Sequence, residues 1–116
     1  MKVVVTGSRD YSSRSTILHW LTLFPISCVI HGDCAGADQL ASDICDELGI
    51  HHVTFHADWH VGKKAGPIRN QLMIDSEPDL VIAFPLADSK GTYDCIRRAK
   101  VAGIPVLEIS PKEVIP

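Results

Sequence analysis

The chain has 116 residues and a formal net charge of −3. Its length predicts a single domain over residues 1–116, large enough to fold without disulfides or a structural metal. The absence of a basic excess argues against binding of an extended nucleic acid. The four cysteines lie at no metal-ligand spacing, and the first apolar run is too short for a signal peptide. We therefore predict a cytoplasmic protein with reduced thiols, no cofactor or metal, and no membrane partner.

Short β-branched runs alternate with longer amphipathic stretches, the pattern of a parallel sheet covered by helices on both faces. The predicted strands are Val3–Thr6, Cys28–His31, His52–His56, Leu80–Phe84 and Val106–Ile109. The predicted helices are Arg14–Leu23, Ala37–Leu48, Pro67–Ser76 and Gly91–Ala102, and residues 111–116 are expected to form a surface tail. The predicted fold class is α/β: a Rossmann-like three-layer sandwich with a five-stranded parallel sheet.

The first predicted strand runs into a glycine turn, Thr6-Gly7-Ser8-Arg9-Asp10. Gly7 allows a sharp turn, so that Ser8 and the following amide groups face the crevice where α/β folds bind ligands. The alternative is a plain strand-to-helix turn with a solvated Arg9. Because two more glycine turns end on the same sheet edge, we favour anion binding by Gly7, Ser8 and Arg9.

The second glycine turn, residues 31–38, also follows an apolar strand. Small residues such as Gly32 let a ligand or the sheet approach the backbone. Asp38 falls early in the next helix, where a carboxylate complements the helix dipole, and contact with a ligand is an equally supported role. His31 ends the strand and is predicted to be a hydrogen-bonded structural histidine.

Three possible metal ligands, His56, Asp58 and His60, occupy alternate positions after the third strand. They share one face only if the strand continues through them. An Asp-Trp pair that leaves a strand is more typical of a turn, which is the interpretation we favour. Trp59 either stacks on a base or covers the sheet edge.

A basic, glycine-containing segment precedes the third predicted helix. Pro67 is suited to the start of a helix, which places Arg69 and Asn70 in the first turn. Cations are unfavourable at the positive end of a helix dipole, so an anion in contact with Arg69 explains its position better than solvent does. Arg69 and Asn70 are therefore candidate ligand contacts.

The loop after the fourth strand ends in Gly91-Thr92, which opens the last helix and offers amide groups and a hydroxyl to a phosphate. Asp94 lies in the first turn of this predicted helix. It either complements the helix dipole or acts as a general acid/base or ribose ligand, and the sequence leaves both roles open.

These motifs together resemble the SLOG superfamily, which includes the LOG phosphoribohydrolases and the DprA-like proteins, and most of all its small YspA-like branch. The matching segments span nearly the whole chain and are Thr6-Gly7-Ser8-Arg9, His31-Gly32 with Gly36-Ala37-Asp38, Trp59 with Gly62-Lys63, Ala65-Gly66-Pro67 with Arg69-Asn70 and Met73, Phe84-Pro85 with Gly91-Thr92-Tyr93-Asp94, and Ala102-Gly103-Ile104-Pro105-Val106. The resemblance implies a Rossmann-like domain that binds nucleotide-derived molecules at the carboxyl edge of its sheet, and it implies a homo-oligomer.

In LOG enzymes, an arginine and a glutamate act together on the N-glycosidic bond of a nucleoside monophosphate. Arg69 matches that arginine, but Cys95 stands at the position of the glutamate. A thiol supplies no negative charge to an oxocarbenium-like transition state unless it ionises. YspA-like proteins typically carry an acid at the position of Asp94, so the resemblance keeps Asp94 as a candidate catalytic residue beside Arg69.

Two functions follow from these observations. The first is binding of a nucleotide or nucleotide-derived small molecule, for sensing or sequestration, through Gly7, Ser8, Arg9, Gly32, Asp38, Arg69, Asn70, Gly91 and Thr92. The alternative is hydrolysis of a nucleotide N-glycosidic bond, in which Arg69 holds phosphate or stabilises charge and Asp94 supplies the carboxylate. The missing glutamate favours binding, and the sequence leaves open whether the chain is an enzyme.

Overall fold

The structure is a computed structural model that describes residues 1–113. Its strands are β1 (Lys2–Gly7), β2 (Cys28–His31), β3 (His51–Thr54), β4 (Leu80–Phe84) and β5 (Val106–Glu108). Its α-helices are α1 (Arg14–Thr22), α2 (Ala37–Leu48), α3 (Ala65–Asp75) and α4 (Lys90–Val101). All paired strands are parallel, in the order β3-β2-β1-β4-β5. The predicted α/β fold with a five-stranded parallel sheet is confirmed.

Two cores arise because successive side chains of a strand point to opposite faces of the sheet. On one face, Val3 and Val5 of β1 pack with buried residues of α1 and α2 such as Ile17 and Ile44. On the other face, Val4 packs with residues of β4, α3 and α4, namely Val81, Met73, Ile74, Cys95 and Ala99. The continuous apolar runs of β1 and β4 therefore reflect strands that are covered on both sides.

The strand order reverses direction beside β1. The chain moves outward from β1 through β2 to β3, and β4 then returns to the other side of β1. The connections that follow β1 and β4 therefore leave the sheet towards opposite faces. Such a reversal opens a crevice at the carboxyl ends of the two central strands, and this crevice is where open α/β sheets place their ligands.

The region between β3 and α3 differs from the prediction. Strand β3 ends at Thr54, a 3-10 helix spans Trp59–Lys64, and α3 begins at Ala65 rather than at Pro67. Proline is tolerated anywhere in the first turn because the amide groups there have no partner within the helix, so Pro67 marks the third residue of α3 rather than its first. Helix α4 likewise begins one residue earlier than predicted, at Lys90.

Gly36 joins the start of α2 to the turn after β1. Its φ is 72°, and a Cβ atom at this position would collide with the backbone of Ser8 and Arg9. The next residue, Ala37, donates its amide hydrogen to the carbonyl of Ser8 at 3.1 Å. Only glycine allows this close approach of the two turns.

The helices of the described residues, 1–113, include none that is long and apolar enough to cross a membrane. Pro111–Glu113 form a short exposed 3-10 helix, in agreement with a surface location for the start of the predicted tail. The rest of that tail, residues 114–116, lies outside the described residues.

We expect Gly36→Ala to lower the free energy of unfolding by at least about 2 kcal/mol, because it combines an unfavourable φ with a collision against backbone atoms. Gly49→Ala is the matched control, since Gly49 has a φ of 70° but a Cβ atom there would meet no atom within 4 Å. The control is expected to cost about 1 kcal/mol. Urea denaturation followed by circular dichroism measures both, and equal losses would show that the contact with Ser8 and Arg9 contributes nothing.

Candidate functional site

A cleft of about 340 Å³ opens at the carboxyl ends of β1 and β4. Its walls come from the turn after β1, the β2–α2 loop, the starts of α2 and α3, the Trp59 region and the start of α4. Most of the predicted ligand-contacting residues meet in these walls: Gly7, Ser8, Arg9, Asp38, Arg69, Asn70, Gly91 and Thr92. Within the described part of the chain, Gly32 and Asp94 are the predicted residues that do not line the cleft.

Arg69 lies deep in the cleft, with 7% of its surface exposed. Its Nη1 is 2.9 Å from Oδ1 of Asp33, and its Nε donates to Oδ1 of Asn70 at 3.0 Å. The predicted location in the first turn of α3 is wrong, because Arg69 is the fifth residue of that helix. Burial of an unpaired guanidinium is costly, and Arg69 has an anionic partner within the protein itself, namely Asp33.

Asp33 belongs to the β2–α2 loop and is the ionic partner of Arg69. Burial raises the pKa of Asp33, but hydrogen bonds from the amide of Ala57, from His56 and from Arg69 outweigh this effect. The pKa of Asp33 therefore lies below its usual range, and the carboxylate stays ionised. The pair ties the β2–α2 loop to α3 at the base of the cleft.

Asn70 connects α3 to α4. Its Oδ1 accepts from Arg69, and its Nδ2 donates to the carbonyl of Gly91 and to Oδ2 of Asp94, both at 3.1 Å. The side-chain amide thus uses both its acceptor and its donors inside the protein. Its main geometric effect is to fix the start of α4 against α3.

Asp94 points away from the cleft and is paired with cations. Its carboxylate accepts from Arg98 at 2.9 Å and from Arg97 at 2.8 Å. Burial raises the pKa of Asp94, but Arg98, Asn70 and Arg97 lower it by more, so its pKa lies below its usual range. A carboxylate that is ionised and fully engaged in this way is poorly suited to donate a proton.

Cys95 is completely buried. Burial raises its pKa to about 11, so the thiol is neutral at physiological pH. It therefore cannot replace the negative charge of the glutamate that LOG-like cleavage requires at this position.

Asp38 is the buried carboxyl group of the cleft walls. It is 6% exposed, and its Oδ2 accepts from the amide of Cys34 at 3.2 Å. Burial raises its pKa to about 6, although the Cys34 hydrogen bond and the charge of Arg69 act in the opposite direction. Near neutral pH the cleft therefore contains a carboxyl group that gains or loses a proton readily.

Charged residues of both signs surround the mouth of the cleft. Arg9 and Lys90 are exposed cations, and Asp10 and Asp88 are exposed acids. Trp59 is 51% exposed, and the guanidinium carbon of Arg9 lies 5.9 Å from its ring centroid. An exposed indole beside a cation provides a flat surface on which a planar group can stack.

The three turns differ in whether packing requires glycine. A Cβ atom on Gly7 would collide with Ala37, and one on Gly32 would lie 2.8 Å from the Asp38 carboxylate and press on Arg69. Internal packing therefore explains both. A Cβ atom on Gly91 would meet no atom within 4 Å. The packing of the fold therefore does not require glycine at position 91.

Sequence reasoning missed several cleft residues, among them Cys34, Lys90 and Asp88. Lys90 directly precedes the predicted Gly91-Thr92 turn, and this adjacency could have revealed it. No sequence pattern indicates Cys34, whose Sγ lies 3.8 Å from Nη2 of Arg69. The two residues are brought together by the packing of the β2–α2 loop against α3.

A metal site formed by His56, Asp58 and His60 requires that the third strand continue through all three residues. Strand β3 ends at Thr54, so the three residues do not share a strand face. Asp58 instead accepts a hydrogen bond from the amide of His60 at 3.2 Å and precedes the 3-10 helix, as expected for a turn. Among residues 1–113, no group of three His, Cys, Asp or Glu side chains could hold a metal ion.

His31 is a buried structural histidine, as predicted. Its Nδ1 lies 2.7 Å from the carbonyl of Gly32, its Nε2 lies 2.9 Å from Nδ1 of His52, and Nε2 of His52 lies 2.7 Å from Oδ1 of Asp46. Because a carbonyl only accepts, Nδ1 of His31 carries a proton and its Nε2 accepts from His52.

A parallel sheet whose strand order reverses beneath a polar cleft defines a Rossmann-like α/β domain. The chain belongs to the YspA, cpYpsA-related SLOG family, whose family model matches residues 1–62. It is also similar to the "Gene 61 protein" of Mycobacterium phage D29, with 36% identity over 124 residues, which covers 96% of this chain and 98% of the phage protein. The predicted membership of the SLOG superfamily and its YspA-like branch is confirmed.

We expect Asp38→Asn to change how stability depends on pH. A carboxyl group whose folded pKa is raised to about 6 contributes stability below about pH 4, and this contribution is lost as the pH rises through 6. Between pH 4 and pH 7, wild-type protein should lose on the order of 2 kcal/mol relative to Asp38→Asn. Asp43→Asn, an exposed carboxylate on the same helix, is the control. Parallel pH profiles for wild type and Asp38→Asn would contradict this expectation.

We expect His31 to be neutral, with its proton on Nδ1, at pH 7. Burial lowers the pKa of His31, and the Gly32 carbonyl fixes which nitrogen is protonated. Long-range ¹H–¹⁵N correlation spectra of the imidazole rings measure the tautomer directly. A proton on Nε2 would show that the contact with Gly32 is not a hydrogen bond.

We also expect His31→Gln to lower the free energy of unfolding by about 1–3 kcal/mol, because the variant loses the buried contact with His52.

Proposed function

We propose that this protein binds a nucleotide-derived small molecule in the cleft, for sensing or sequestration. The observation that carries the proposal is the position of the cleft: it lies where the strand order reverses, at the carboxyl ends of β1 and β4, and two helix-opening turns meet in its walls. Its volume of about 340 Å³ is in the range of small-molecule sites. Membership of the SLOG family supports the same class of ligand.

The phosphate of the ligand is proposed to lie at the start of α4. Gly91 and Thr92 are in the first turn of α4, where amide groups have no carbonyl one turn earlier to accept from them. Gly91 leaves room for close approach, and Lys90 and Arg9 supply positive charge at the mouth. Together these groups match the dianionic charge and the several acceptor oxygens of a phosphate.

The base and the sugar are assigned to the remaining walls. Trp59 is exposed over the cleft and offers its ring to a planar base. Asp38 faces the interior and can accept hydrogen bonds from ribose hydroxyls when it is ionised. Arg69 lines the base of the cleft, but Asp33 balances its charge, so we assign it to hydrogen bonding and shape more than to charge neutralisation.

The contacts of Asp94 and Cys95 do not favour the alternative, hydrolysis of an N-glycosidic bond. Asp94 is outside the cleft walls and engaged by Arg97 and Arg98, and Cys95 is neutral and buried. Binding without turnover is therefore the function that the geometry supports best.

Trp59 provides a direct test of binding. The chain has two tryptophans, so Trp20→Phe leaves Trp59 as the only indole and as a fluorescent reporter beside the cleft. In a screen of nucleoside monophosphates, NAD, ADP-ribose and cyclic dinucleotides, we expect at least one compound to cause a saturable change in its emission. Mass spectrometry of the bound and free fractions then separates intact ligand from free base and ribose phosphate. No saturable change with any of these compounds would contradict the proposal, and free base would establish hydrolysis.

We expect Arg9→Ala and Lys90→Ala each to weaken binding of the ligand found in that screen by about tenfold, the effect of removing one charge-assisted hydrogen bond. Lys100→Ala is the matched control, because Lys100 is exposed on the same helix as Lys90 but lies near its opposite end. Isothermal titration calorimetry measures the three affinities. An equal loss in Lys100→Ala would indicate a general charge effect rather than contact at the cleft.

A further inference from the structure

One wall of the cleft belongs to a stretch of chain that is exposed along its whole length. Residues 58–64 are all exposed, whereas the other walls contain buried residues such as Ser8, Arg69 and Thr92. Trp59 is the residue of this stretch that lines the cleft. In the described part of the chain, no side chain of residues 59–64 makes a hydrogen bond or an ion pair. We call residues 58–64 the exposed segment.

Both ends of the exposed segment are fixed to the domain. Before it, Oδ2 of Asp33 lies 3.3 Å from the amide nitrogen of Ala57 and 3.3 Å from Nδ1 of His56. Oδ1 of the same carboxylate binds Arg69, so this end is tied to the base of the cleft. After it, Ala65 is 2% exposed and begins α3. A short exposed segment between two fixed points can change conformation while the rest of the domain stays folded.

Gly62 divides the exposed segment into two parts. The 3-10 helix Trp59–Lys64 is interrupted at this residue, which has a φ of 80° and a ψ of −146°. These angles lie beside a region of backbone conformation that is essentially restricted to glycine. A Cβ atom on Gly62 would meet no atom within 4 Å, so the backbone conformation, rather than packing, requires glycine here. Glycine also passes to other backbone angles at little steric cost, as a hinge residue must.

The exposed segment carries two apolar side chains that are half in water. Trp59 is 51% exposed and Val61 is 53% exposed. Transfer of apolar surface out of water is favourable, and an aromatic ring or a valine side chain gains substantially from burial. A conformation of the segment that covers the cleft would bring part of this surface into contact with a ligand and with the cleft walls.

From these features we infer that the exposed segment is a lid, which turns at Gly62 and closes over the cleft when a ligand is bound. The inference rests on the proposed binding function. A ligand that stacks on Trp59 favours the closed conformation, because it contacts this side chain more fully there than in the open conformation. Closure in turn slows the escape of the ligand. The alternative is a fixed wall, on which the ligand stacks without movement of the segment.

Val61 provides a mutational test of closure. We expect Val61→Ser to weaken binding by about tenfold, because the side chain of Val61 is buried only when the lid is closed. Val101→Ser is the matched control, since Val101 is 87% exposed at the end of α4. Isothermal titration calorimetry measures both affinities, and circular dichroism confirms that both variants are folded. Equal affinities of Val61→Ser and wild type would show that Val61 stays in water and would overturn the inference.

Amide hydrogen exchange distinguishes a lid from a fixed wall. In the free protein, we expect the amides of residues 60–64 to exchange at least about tenfold faster than those of Met73 and Ile74, which are buried in α3. With a nucleoside monophosphate, NAD, ADP-ribose or a cyclic dinucleotide bound at saturation, exchange of residues 60–64 should slow by about tenfold. Within the described part of the chain, residues 60–64 are not among those that line the cleft, so stacking on a fixed wall would not protect them. Residues 43–48 of α2 are the internal control and should be unaffected.

Each outcome of the exchange experiment decides a different point. Exchange of residues 60–64 in the free protein as slow as that of α3 would overturn the inference whatever the ligand. Binding of one of these compounds, measured by calorimetry, without slower exchange of residues 60–64 would overturn the lid and leave the proposed function in place. If none of the compounds binds, the proposed function fails and the lid fails with it.

Discussion

The ion pair between the buried Arg69 and the more exposed Asp33 is the interaction on which the arrangement of the cleft depends. It links the loop after β2 to α3, and Asn70 extends the connection from Arg69 to the start of α4 and to Asp94. Removal of Asp33 would leave the buried guanidinium of Arg69 without its ionic partner. The same network therefore fixes three separate chain segments around one space, and this rigidity is what a preformed binding site requires.

This network also decides which groups are available to a ligand. Asp33 and Asp94 are held ionised by their cationic partners, whereas Asp38 is buried and its pKa is raised to about 6. Of these three carboxyl groups, Asp38 is the one that lines the cleft. Of these three groups, two are ionised carboxylates with structural partners and one has a pKa close to neutral pH, and the environment of each, rather than its residue type, sets this difference.

The site was predictable where it depends on local sequence. Gly7, Ser8, Arg9, Gly91 and Thr92 directly follow or precede elements whose ends are marked in the sequence, and parallel strands bring those ends to one edge. Two features of the site depend on non-local contacts. Arg69 lines the cleft as predicted, but its ionic partner is Asp33, 36 residues earlier, and Asp94 lies outside the cleft walls in contact with Arg98 and Asn70. Which partners these side chains meet depends on how α3 and α4 pack against each other and against the β2–α2 loop, and this packing is not visible in the sequence.

The sequence by itself determined the fold class, the five strands and four helices, and the family, because apolar periodicity and glycine-marked helix ends are local signals that survive without tertiary contacts. Only the tertiary structure decided which glycines are required by packing. Gly7 leaves room for Ala37, and Gly32 leaves room for the side chains of Arg69 and Asp38. A Cβ atom on Gly91, in contrast, would meet no atom within 4 Å. Only the tertiary structure separated Asp38 from Asp33 and Asp94, since burial and charged neighbours are properties of the assembled chain. The physical reason is the distance along the chain over which each effect acts. Backbone preferences act over a few residues, whereas burial and ion pairing depend on residues that only folding brings together.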